Sequence, residues 1–165
     1  MSAMRRALSA AAAALVLVVG SGAGARAGAD MGPGGAVAPE ADVAHHGHVS
    51  FGDGRLGISF LTRNHGPSGL EDATVRVEFS LRPVGELRLP DRCLWAGERV
   101  VLCATGQLRA DGVGRKTSIR LRTAGDPAEA VVTIDTVWNG GATDRNPANN
   151  AHRVVAPATG DPYAF

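Results

Sequence analysis

Three histidines, His45, His46 and His48, fall within four residues of one another. Imidazoles that close together can ligate copper, nickel or zinc when a loop folds around the ion. The nearest carboxylates are Asp42 and Asp53, and Gly-rich flanks fix no ligand geometry. These histidines are therefore only weak metal candidates, and the expectation is a solvated His-rich leader with no metal site. Asp144, Asn146, Asn149 and Asn150 place oxygen donors in one loop, the ligand type that calcium prefers. Only one of them is a carboxylate, and Asx side chains beside Pro147 also cap their own turn through backbone amides. Trp138 and Asn139 open that same loop and Arg145 follows, a composition typical of interface hot spots. Trp138, Asn139, Asp144, Arg145 and Asn146 are accordingly the expected binding residues. The competing expectation is that Trp138 completes the core and the Asn-rich stretch is only a turn.

Nucleophilic and zinc-dependent hydrolysis leave recognisable motifs, and neither G-x-S-x-G nor H-E-x-x-H occurs. His65 and His152 stand alone. No catalytic residue is assigned, no cofactor is implied, and the protein is expected not to be an enzyme. Cys93 and Cys103 are the only cysteines. In an exported protein one disulfide is more expected than two thiols, and the pair lacks the C-x-x-C spacing of redox or metal sites. A three-residue turn at Gly97-Glu98-Arg99 sets the two sulfurs opposite one another across a hairpin. So short a loop is worth at most roughly 3 kcal/mol in the chain-entropy account.

The elements that must position these residues read as strands. Ala73, Val75, Val77, Phe79 and Leu81 alternate with Thr74, Arg76, Glu78 and Ser80, the period that puts alternate side chains on one face. Leu56, Ile58 and Phe60 make a second strand, and Thr117, Ile119 and Leu121 a third, with Ser118, Arg120 and Arg122 on its other face. Ala130 to Trp138 and Ala151 to Ala156 add two more, and Val100 to Leu102 is a short buried run. Gly, Pro, Asn and Asp clusters punctuate the junctions, as at Gly66-Pro67-Ser68-Gly69 and Asp111-Gly112. The fold class predicted is all-β, an immunoglobulin-like antiparallel β-sandwich of about seven strands, with a small barrel as the alternative.

Arg5 and Arg6 followed by the apolar stretch Ala7 to Gly20 and the small residues of Ala25-Arg26-Ala27 fit a secretory signal cleaved after Ala27. The apolar stretch of 14 residues falls short of the roughly 20 that span a bilayer. The expected organisation is a signal peptide at 1–27, a flexible Gly/Ala/Pro leader at 28–47, the sandwich at 48–157 and a tail at 158–165, with no membrane span in the mature form. Removing 1–27 takes three of the 17 basic residues and none of the 16 acidic ones, leaving a formal charge of −2. That balance, with sixteen arginines to one lysine reflecting codon bias and only seven aromatic residues, shows no clustered basic footprint and argues against a nucleic-acid partner.

Several segments, in order, carry a resemblance: Arg63-Asn64-His65-Gly66-Pro67-Ser68, Leu89-Pro90, the Cys93 and Cys103 pair, Gly106-Gln107-Leu108, and Asp144-Arg145-Asn146-Pro147-Ala148-Asn149-Asn150. Over residues 49 to about 156 the chain resembles the CARDB-like conserved repeat domain of unknown function found in bacterial surface proteins. That resemblance implies an Ig-like fold, an extracellular setting and no enzyme activity. The chain departs from the family's tandem arrays by holding a single copy. Together these readings favour a secreted, noncatalytic bacterial interaction module contacting an unidentified extracellular protein or cell-wall component. A small secreted enzyme, with a deep polar pocket, and a protease inhibitor, with one rigid exposed loop, are the competing classes.

Overall fold

Strand formation follows the alternation in the sequence, and each buried apolar row finds a partner row on a facing sheet. The computed structural model describes residues 37–165; the expected signal peptide, 1–27, and residues 28–36 of the expected leader lie outside them. Twelve strands follow in chain order: β1 (Glu40–Ala41), β2 (Val43–Gly52), β3 (Arg55–Asn64), β4 (Thr74–Phe79), β5 (Pro83–Val84), β6 (Cys93–Gly97), β7 (Val100–Ala104), β8 (Arg115–Thr123), β9 (Glu129–Trp138), β10 (Thr143–Asp144), β11 (Ala151–Pro157) and β12 (Pro162–Ala164). One sheet has the order β12-β2-β3-β8-β5 and the other β11-β9-β4-β7-β6, and every pairing within them is antiparallel. The two sheets form a β-sandwich. Val49, Phe51, Leu56, Ile58, Phe60, Ile119 and Leu121 from the first meet Val75, Val77, Phe79, Val101, Val132 and Ile134 from the second in one core. A smaller cluster of Ala41, Val43, Leu70, Ala73 and Leu108 fills one end.

The β2–β3 hairpin closes through Asp53-Gly54, with φ of 49° and 64°. Positive φ at both positions is the type I′ geometry that matches strand twist, which Asp-Gly supplies with little strain. The β6–β7 hairpin aligns Cys93 directly with Cys103, and the two are joined by a disulfide with Cα atoms 4.1 Å apart. Its register shifts between Trp95 and Gly97, so the turn is the pair Glu98-Arg99 closed by Gly97 and Val100 rather than the expected three residues.

Two boundaries differ from the expected ones. The predicted leader extends to residue 47, but strands begin at Glu40 and Val43, and Ala41, Val43, Ala44 and His45 are buried. The polar run His45-His46-Gly47-His48 disguises a strand because His45, counted as polar, is an interior residue. The predicted tail, 158–165, contains β12, which pairs with β2, and Tyr163 and Phe165 pack on the main core. Phe165 and Gly47 exchange reciprocal backbone hydrogen bonds of 3.0 Å. Gly47 is needed there: a Cβ at that position would come within 2.2 Å of the Ser59 carbonyl oxygen and 2.7 Å of the Phe60 Cα.

Candidate functional site

Strand alternation separates the three histidines proposed as metal ligands. His45 points into the sandwich, whereas His46 and His48 lie exposed on the opposite face of β2. The three do not converge. The His45 ring edge packs on Phe60 at 5.9 Å, its Nδ1 lies 3.0 Å from the Thr62 hydroxyl on β3, and its Nε2 lies 2.9 Å from the Thr136 hydroxyl on β9. A neutral imidazole offers one donor and one acceptor, and hydroxyls accommodate either. Burial, with smaller contributions from His152 and His46, lowers its pKa from 6.5 to about 4. His45 is thus a neutral polar bridge between the sheets.

The one carboxylate of the 144–150 loop is occupied by nitrogen donors. Asp144 Oδ1 accepts from the Asn146 amide at 2.8 Å, and its Oδ2 accepts from the Val43 amide at 3.2 Å and Asn150 Nδ2 at 3.0 Å. Asn149 Nδ2 donates to Asp42 Oδ1 at 2.8 Å. A carboxylate ringed by N–H donors is a clamp for the chain, not a cation seat. The parallel pairing of β1 with β10 and the Arg145–Glu40 ion pair at 2.8 Å complete the tie between this loop and the first strands. Asn139 is likewise structural, its Nδ2 donating to the Ala142 carbonyl at 2.9 Å, and Asn146 is exposed.

Trp138 behaves differently. Parity along β9 sends Ala130, Val132 and Ile134 inward, and continued parity would send Trp138 inward as well. The pairing with β4 jumps, however: Val75 faces Thr136 while Thr74 faces Trp138. Val137 is therefore an extra residue, a β-bulge of the kind that re-aims a side chain. Opposite outward-facing Thr74, Trp138 is turned to the surface at 50% exposure, with Val137 at 45%.

A second feature lies on the outer face of the other sheet. Cross-strand rungs there read His46–Leu61–Lys116, His48–Ser59–Ser118 and Ser50–Gly57–Arg120, ending at Arg55–Arg122. Small residues in the middle column leave a furrow. One cleft of about 480 Å³ opens at the Arg55–Arg122 end, beside Asp53, Glu86 and Thr159, and a second of about 230 Å³ continues toward Lys116. Both are lined by Ser50, Gly57 and Arg120. Sequence reasoning placed Ser118, Arg120 and Arg122 on one strand face but missed this site. Strand order, which sequence periodicity does not encode, sets them beside Arg55 and the β2 serine.

No helix among the described residues is long and apolar enough to cross a membrane. Comparison with protein-family models, curated proteins and solved structures found no match to this chain.

Proposed function

We propose that the chain is an exported, noncatalytic interaction module of a bacterium, an Ig-like sandwich that binds an extracellular protein or cell-wall component through the surface around Trp138. The observation that carries this reading is the bulge at Val137, which turns a large aromatic side chain out of the core of an otherwise regular strand. A half-exposed Trp on a rigid sheet loses little conformational freedom on binding, and such residues dominate interface energetics. The signal-like segment cleaved after Ala27, the resemblance to CARDB-like domains and a disulfide of the kind that oxidising compartments permit support export.

The test compares the mature chain with a Trp138→Ala variant as bait for spent medium and cell-wall extract. Capture should fall with the variant, by about 2 kcal/mol for an anchoring aromatic, while its unfolding free energy stays within about 1 kcal/mol of wild type. Equal capture by both baits would overturn the role of Trp138.

A further inference from the structure

We infer that the furrow on the outer face of β2, β3 and β8 binds an extended acidic polysaccharide. Arg55 and Arg122 sit directly opposite one another, and Arg120 precedes Arg122 by two residues on the same face. Like charges directly opposite across a sheet are destabilising. Among the described residues none of Arg55, Lys116, Arg120 and Arg122 takes part in an ion pair, the ion pairs being Arg76–Asp135, Arg88–Glu86 and Arg145–Glu40. The carboxylates at the cleft are Asp53, at the hairpin turn, and Glu86, which is engaged by Arg88 at 2.7 Å. An uncompensated local conflict of this kind marks a site shaped for something other than stability, and the missing complement is negative charge.

The floor between the charged ends narrows the chemistry. It consists of Gly57 with the hydroxyls of Ser50, Ser59 and Ser118, and Ser59 and Ser118 already share a hydrogen bond of 3.1 Å. A Cβ on Gly57 would lie 2.8 Å from the Ser50 Oγ, so the glycine keeps the furrow deep. From Lys116 to Arg122 the strand advances six residues, about 20 Å at the usual rise, the reach of an extended polymer rather than a single small anion. Hydroxyls that donate and accept suit a polyol backbone, and guanidinium forks suit its carboxylates or sulfates. Stacking platforms for bases are aromatic side chains, and the four rungs hold none beyond the two histidines at the β2 margin. Leu61 and Val84, which pairs with Arg122 from β5, are the aliphatic side chains larger than alanine along the rungs, at opposite ends and too little to anchor an acidic peptide by apolar contact. This inference stands on a face other than that of Trp138 and does not depend on it.

The probe is polygalacturonate, a chain of uronic acids, offered to the mature protein with dextran, polyglutamate and single-stranded homopolymer DNA as comparisons. Polygalacturonate should bind, weakening as salt screens the charges, while dextran does not bind and the other two polyanions bind less tightly. An Arg55→Gln, Arg122→Gln double variant should lose about tenfold or more in affinity for polygalacturonate. Its melting temperature should be equal to wild type or higher, because the like-charge pair is gone, and a Trp138→Ala variant should bind as wild type does. Equal affinity for all three polyanions would reduce the furrow to unspecific charge and overturn the inference. So would absence of polygalacturonate binding, or undiminished binding by the folded double variant.

Discussion

At the residue scale, His45 shows how a side chain that reads as a ligand becomes part of the core. Its two hydroxyl partners stand on β3 and β9, so it ties the sheets together without an ion. The cost appears on acidification. The unfolded chain takes up a proton on this imidazole near pH 6.5, whereas the folded chain resists until about pH 4. Between those values the unfolded state binds more protons, so stability is complete above about pH 6.5 and declines as pH falls toward about 4. A depression of that size amounts to about 3 kcal/mol at the lower limit. Urea unfolding across this range should show the decline, and a His45→Gln variant, which keeps a donor and an acceptor but does not titrate, should show a flatter profile. Identical slopes for both proteins would remove His45 as the cause. The sequence does not reveal this because neighbouring His46 and His48 are exposed, and three histidines together look solvated unless the strand is already known.

Connections carry the next level of specification, since the stretches 63–68 and 144–150 are both clamps. Asn64 is buried, its Oδ1 accepting from the amides of Asp42 and Gly66 and its Nδ2 donating to the Ser68 carbonyl at 2.7 Å and the Leu108 carbonyl at 3.5 Å. Gly66 is pressed against β1, where a Cβ would lie 2.5 Å from the Ala41 Cα. The turn between β3 and β4 thus holds its own backbone to two others, at residues 41–42 and at Leu108. Replacing Asn64 with Ala strands several buried polar groups and should cost about 3 kcal/mol or more, whereas His65→Ala, at an exposed position one residue away, should stay within about 0.5 kcal/mol. Thermal denaturation of the pair measures the contrast, and equal midpoints would contradict the clamp. Strand parity made β3, β4, β8, β9 and β11 legible in the sequence to within a few residues. What parity misses is the place where it breaks: nothing in Thr136-Val137-Trp138 announces the bulge, so the exposure of Trp138 emerges only once β4 is paired with β9. The Asp144 loop was legible as a turn; its periodicity-free sequence does not disclose that Asp144 Oδ2 also accepts from the amide of Val43, 101 residues away in the chain.

For the whole molecule, closure depends on the last residues. β12 lies at the edge of its sheet and covers His48, Val49 and Ser50 of β2. Gly160 donates to the Phe51 carbonyl at 2.7 Å, Tyr163 and Phe165 pack on the core, and the Phe165 ring meets His152 of β11 at 5.1 Å. The segment therefore bridges the two sheets and occupies backbone groups of β2 that would otherwise face water. These eight residues read as a tail because a three-residue strand is too short for periodicity to detect, and its aromatic side chains have no alternating neighbours. Deleting 158–165 removes the contacts of two partly buried aromatic side chains and should lower stability by about 3 kcal/mol. It also uncovers unpaired N–H and C=O groups along β2, a template on which a second chain can pair. The shortened protein should melt earlier and elute in size-exclusion chromatography as concentration-dependent dimers or larger species, in contrast to the full chain under the same conditions. Replacing Val49 with Lys would not rescue it, because that side chain points into the core. Lysine at Ser50, on the outward row, leaves the β2–β3 ladder intact and should oppose edge pairing by like charge, restoring the elution position without restoring the melting temperature. A truncated chain with the elution and melting behaviour of the full protein would show that β12 contributes neither closure nor edge protection.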